Sequence, residues 1–173
     1  MYQAFKKEDE VRKMFFAGAL VLALSACDRN TDNNLRYEVS VDYREPVGAV
    51  VRELGLNTEE VPVYEVMNRS RHGVGEELRW MRVVRHRELK DTYSPKNGFH
   101  PADTREMLAF YATHPQAVPF KGLCAPGEQL PLGEGVIGVP VITRAGNLGI
   151  SAHGCKKPGR RVLVVRDFGR TQP

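Results

Sequence analysis

The sequence predicts an α+β domain with a mainly antiparallel sheet, two short helices and a β-rich C-terminal half. Three observations carry that expectation. Two segments, 47–54 and 103–113, repeat their apolar residues at helical spacing. Other segments alternate apolar and polar residues, the period of a strand with one buried face. Beyond residue 115, Gly and Pro become frequent and the apolar stretches shorten to strand length, which favours hairpins over further helices.

Taken in order, Tyr37, Val39, Val41 and Tyr43 alternate with Glu38, Ser40 and Asp42, so the first strand lies here and the fold begins near Leu35. Val47, Val50, Val51 and Leu54 fall at i, i+3, i+4 and i+7, behind Pro46 and ahead of Gly55, the layout of a short amphipathic helix. Residues 61–67 read as a strand near an edge, because Pro62 cannot donate to a ladder. Residues 77–89 fit either a helix or a strand, and the alternation through Leu78, Trp80, Arg82 and Val84 favours the strand. Asp103 and Glu106 have capping-box spacing, Met107, Leu108, Phe110 and Tyr111 supply an apolar side, and His114-Pro115 ends the second helix. Strands follow at 136–143, 148–151 and 162–168, the first two joined by a hairpin turn at Ala145-Gly146-Asn147.

The beginning of the chain has a different character. From Met14 the run MFFAGALVLALSAC is apolar or small throughout and follows Arg12 and Lys13. As a helix, residues 14–26 would reach about 20 Å, well short of the roughly 30 Å hydrocarbon core of a bilayer. The layout is that of a signal peptide, residues 1–26. Glu8, Asp9 and Glu10 place acids where such a leader is basic, which points to a start at position 11 or at Met14. The run ends in Leu24-Ser25-Ala26-Cys27, which resembles the lipobox of bacterial lipoproteins. The resemblance covers only the first 28 or so residues. It implies cleavage before Cys27 and attachment of a diacylglyceryl group to its thiol. A thiolate is the nucleophile this transfer needs, so no other residue type would serve. Two or three acyl chains, at about 0.8 kcal/mol per buried methylene, would make the anchor effectively permanent. Asp28 follows directly and resembles the signal for retention at the periplasmic face of the inner membrane, with the outer membrane as the alternative. Residues 27–34 are then the lipidated cysteine and a polar, flexible tether, and 35–173 a single globular domain.

Without the leader, 21 basic residues face 18 acidic ones, too mild a balance to argue for nucleic acid. The partners expected are the membrane, through the lipid, and an envelope protein or an anionic lipid or glycolipid. The basic stretch in 69–90 contains the only tryptophan and nominates Arg79, Trp80, Arg82, Arg85 and Arg87 to grip anionic groups. A solvated sheet face, with glutamates balancing the arginines, explains the same composition.

With Cys27 committed to lipid, Cys124 and Cys155 remain, and an oxidising compartment predicts a disulfide between them. No metal and no cofactor are expected. Cys124 has no His or Cys within four positions, and Gly133–Gly138 matches G-x-G-x-x-G only formally, between Pro131 and Val139-Pro140. Among His72, His86, His100 and His114 the equal spacing hides no repeat, since their flanks differ. The function expected is non-enzymatic: a binding, scaffolding or protective module at the membrane surface. The alternatives are a lipid-anchored hydrolase of cell-wall or lipid substrates, using scattered residues such as His86, His100, Asp103 or His153, and an exclusion lipoprotein of a phage or mobile element.

Overall fold

The computed structural model describes residues 35–58, 75–92 and 98–167. Contacts divide the chain into a leading segment, Met1–Thr31, and a compact unit, Asp32–Pro173, to which all described residues belong. The expected signal segment, Cys27, the expected tether and the strand expected at 61–67 lie outside the described residues.

Eight strands are described: β1 (Tyr37–Asp42), β2 (Glu76–Arg85), β3 (Phe99–Pro101), β4 (Leu123–Cys124), β5 (Leu130–Gly133), β6 (Val136–Ile142), β7 (Leu148–Ser151) and β8 (Arg161–Asp167). They form one sheet in the order β1-β2-β8-β4-β6-β5, with β3 also pairing β8 and β7 pairing β6. Every pair is antiparallel except β4 with β8. Two helices, α1 (Val47–Glu53) and α2 (Thr104–Thr113), complete the α+β fold that the hydrophobic periodicity predicts.

The main core lies between one sheet face and the two helices. Val39 and Val41 of β1, Met81 and Val83 of β2, Leu163 and Val165 of β8, Leu123 and Ile142 meet Val47 and Val51 of α1 and Met107, Leu108 and Phe110 of α2. A smaller cluster occupies the other face: Val84, Cys124, Val139, Val141, Cys155, Val162 and Val164, with Leu89 and Phe99 against it. β8 therefore contributes to both, and all of Val162, Leu163, Val164 and Val165 are buried, because the strand has neighbours on both edges and packing on both faces.

Local rules explain most boundaries. Asp103 caps α2 through a reciprocal box: its Oδ1 accepts from the Glu106 N–H at 3.0 Å, and its own N–H donates to Glu106 Oε2 at 2.8 Å. Pro46 is the N-cap of α1, and Gly55 at φ +60° turns the chain away from its end. The turn between β6 and β7 closes as expected, with the Gly146 N–H donating to Thr143 O at 3.0 Å and Gly146 at φ +82°. Gly133–Gly138 is a hairpin rather than a phosphate loop. Glu134 and Gly135 take φ +48° and +76°, the two left-handed residues of a type I′ turn joining β5 to β6.

The strand expected over 77–89 is shorter in the structure. It stops at Arg85, and His86–Glu88 form a 3₁₀ turn followed by one helical turn, Leu89–Thr92. The face turned to the main core carries Arg79, Met81 and Val83, and the alternating set Leu78, Trp80, Arg82 and Val84 lies on the other face.

Gly127 shows how tightly the sheet end is packed. A Cβ there would lie 2.4 Å from the carbonyl oxygen of Pro101 and 2.7 Å from that of Ala102, both backbone atoms that cannot turn aside. Its N–H donates to Ala102 O at 2.8 Å. Gly127→Ala is expected to destabilise the domain by about 2 to 3 kcal/mol through overpacking alone. Urea denaturation checks this, and an unchanged midpoint would show that the β3–α2 junction yields more easily than its hydrogen bond implies.

Candidate functional site

The basic run does not form one patch, because alternation along β2 divides it between the two faces of the sheet. Arg79 is turned into the core and is only 3% exposed. Its Nε donates to Tyr43 Oη at 3.1 Å and its guanidinium pairs with Glu77 Oε2 at 2.5 Å. A guanidinium already engaged this way is unsuited to gripping a ligand, so Arg79 is withdrawn from the anion-binding set. Arg85 stands at the strand end, 3.7 Å from Glu88 Oε1, and Arg87 is exposed on the following 3₁₀ turn.

Trp80 and Arg82 share the opposite face, and pairing supplies two further members there. Arg166 of β8 lies opposite Trp80, and Phe99 of β3 lies opposite Arg166. The Arg82 guanidinium sits 5.6 Å from the centre of the Phe99 ring. The result is a row of two aromatics and two guanidinium groups, flanked on β1 by Glu38 opposite Trp80. Such a row suits planar or phosphate-bearing anions, which arginine grips at two points while the ring covers an apolar portion. Arg166 could not be nominated from sequence, since only the pairing of distant strands brings it to Trp80.

The two remaining cysteines come together on the same face as Trp80 and Arg82. Both are buried in the same cluster and are free thiols in the structure, and the Cys124 thiol donates to Gly154 O at 4.0 Å. The hydrogen bond from Cys155 holds the Cys124 thiol below its usual value against the opposing effect of burial, and the charge of Arg160 adds to the lowering. Cys155 is pushed up, by that same hydrogen bond, by burial and by the charge it would face on Cys124. Physically, the pair gives up one proton readily and holds the second. Arg160 is fixed behind them by donating to Gly154 O at 2.9 Å and to Ser151 Oγ. Cys155 also lines a cavity of about 330 Å³, whose charged or titratable lining residues are His86, His153 and Lys156. Among the described residues no three His, Cys, Asp or Glu side chains gather as metal ligands.

A second polar cluster lies inside the main core. The Tyr43 hydroxyl donates to Glu106 Oε1 at 2.7 Å, and His100 Nε2 stands 3.2 Å from the same oxygen. Burial pushes the fully buried Glu106 carboxyl up, but the hydrogen bond and charge of His100, with the donors Tyr43 and Asp103 N–H, bring it below the usual range. Tyr43 is raised by burial and by the Glu106 charge. This places one of the histidines named for a hydrolase beside a carboxylate. The carboxylate, however, is sealed and spends both oxygens on the helix cap, the tyrosine and the imidazole, the arrangement of a structural network. Asp103 is the cap itself. His114, at the other end of α2, stacks against Tyr37 and Phe110.

Comparison of the chain with protein-family models, with curated proteins and with solved structures finds no match.

Proposed function

We propose that the chain is a lipid-anchored protein of the bacterial envelope, exported behind its leader, acylated on Cys27, and acting without catalysis as a binding module at the periplasmic membrane surface. The observation that carries this is the run from Met14 to Cys27, preceded by Arg12 and Lys13 and ending in Leu24-Ser25-Ala26-Cys27. The first described strand begins at Tyr37, ten residues after that cysteine, which leaves room for a short polar tether. Asp28 favours the inner membrane. The module's ligand is an anionic group on an envelope protein, lipid or glycolipid, received by Trp80, Arg82 and Arg166. Cys124 and Cys155 are joined as a structural disulfide in the exported protein.

Replacing Cys27 with alanine is expected to abolish incorporation of radioactive fatty acid and to leave precursor with its leader attached. Undiminished labelling of Cys27→Ala would refute acylation at this residue.

The hydrolase reading draws on the contact between His100 and Glu106, and the burial of that carboxylate weighs against it.

A further inference from the structure

The β5–β6 hairpin carries three exposed apolar side chains close to its turn: Leu132 at 43%, Val136 at 42% and Ile137 at 54% exposure. They do not share one side. Ile137 lines the same cavity as Val139 and Cys155, on the face of the smaller cluster. Leu132 lies over Gly138, where a Cβ would meet both Leu132 and Ile150, and Ile150 packs against the main core. A flat protein partner covers one side of a projecting hairpin, whereas an apolar medium covers both.

The charges beside the hairpin indicate the medium. The cavity below Ile137 is lined by apolar side chains together with His86, His153 and Lys156, and by no carboxylate. Arg87, Lys90 and Lys157 are exposed close by in sequence. Apolar side chains set beside bases match the acyl chains and phosphates of an anionic bilayer. Glu134, at the apex of the turn, is the single opposing charge of the hairpin. Reach is sufficient: residues 27–34 extend to at most about 28 Å, and the two edges of a six-strand sheet lie about 24 Å apart, so a tether at the β1 edge lets β5 touch the same surface.

We propose that the tip of this hairpin enters the interface of a bilayer rich in anionic phospholipid, with Lys156, His86 and His153 meeting the headgroup phosphates. The inference rests on the lipid-anchored reading for proximity, but its contacts are its own. A tethered domain needs only a weak second contact, because the anchor raises the effective concentration of the surface.

The test uses the full chain purified from native membranes and added to phosphatidylcholine vesicles with or without phosphatidylglycerol. A fluorophore is placed at Glu134→Cys or, as a control, at Glu53→Cys on α1, and nitroxide-labelled lipid is the quencher. Quenching at position 134 is expected to exceed that at position 53 several-fold, to require phosphatidylglycerol, and to fall to the control level in L132S/I137S. Lys156→Glu should weaken it. Equal quenching at the two positions, or quenching indifferent to phosphatidylglycerol or to L132S/I137S, overturns the proposal. Fatty-acid content of the same preparation reports the anchor separately, so a failed anchor and a failed hairpin contact are told apart.

Discussion

Glu106→Ala is expected to lower the stability of the domain by about 3 to 5 kcal/mol, the range found when one member of a buried, hydrogen-bonded charge network is removed. The carboxylate is fully buried, so its loss leaves the Tyr43 hydroxyl, the Asp103 N–H and His100 without an acceptor they share. The Asp103 N–H stands at the start of α2, and the helix loses half of its capping box in the same step. Chemical denaturation measures the effect, and a cost below about 0.5 kcal/mol, the range usual for a surface change, would mean that water replaces the carboxylate easily. The same group predicts a pH dependence. Its folded-state value lies below the unfolded one, near 4.3 for a glutamate. The stability it contributes is therefore complete above that unfolded value and is lost as the pH falls through the lower folded-state value. Glu106→Gln keeps the shape and removes the titration, so its stability should change less than wild type across that acid window. Parallel acid profiles for the two proteins would remove Glu106 from the account.

Oxidation of Cys124 and Cys155 is expected to raise stability by about 3 to 4 kcal/mol, the value the chain-entropy model assigns to closing a loop of this length. The two thiols are buried in the same cluster, and oxidation brings the sulfurs to bonding distance, about 2.05 Å. The closed loop would hold β5, β6 and β7, the part of the sheet richest in Gly and Pro, against β8. Urea unfolding before and after reduction reads the difference. Intact mass after alkylation of unreduced protein taken from its native cells reads the bond itself, and two freely alkylated thiols there would dismiss the disulfide.

Sequence reasoning located the elements whose signals are local. Alternation sufficed for β1, helical spacing with Pro46 and Gly55 for α1, the Asp103–Glu106 box for α2, and Ala145-Gly146-Asn147 for the β6–β7 turn. It missed β3, β4 and β5, which are three, two and four residues long and too short to show a period. Proline in β3 and β5 argued further against strand, although both lie where a missing donor is tolerated. The candidate site was less legible, because its membership depends on register. Arg79 read as a surface cation, since nothing nearby in sequence announces that Tyr43 will receive its Nε across the sheet. Glu106 read as an ordinary capping residue, and its burial arises from packing against β1 and β3. Cys124 and Cys155 were paired by elimination, and what the structure adds is Arg160 behind them and the cavity at Cys155.

The position of β8 has a consequence for how the molecule comes into being. β8, the most C-terminal of the described strands, occupies the middle of the sheet, joining β1 and β2 on one flank to β4, β6 and β5 on the other. Until residue 161 is available the two flanks lack the strand that hydrogen-bonds them into one sheet and, among the described residues, are joined only by packing against the helices and by the Asn57–Asn147 bridge, so closure of the sheet waits on a non-local pairing. A chain cut before residue 161 should therefore be degraded rather than accumulate as a smaller folded product.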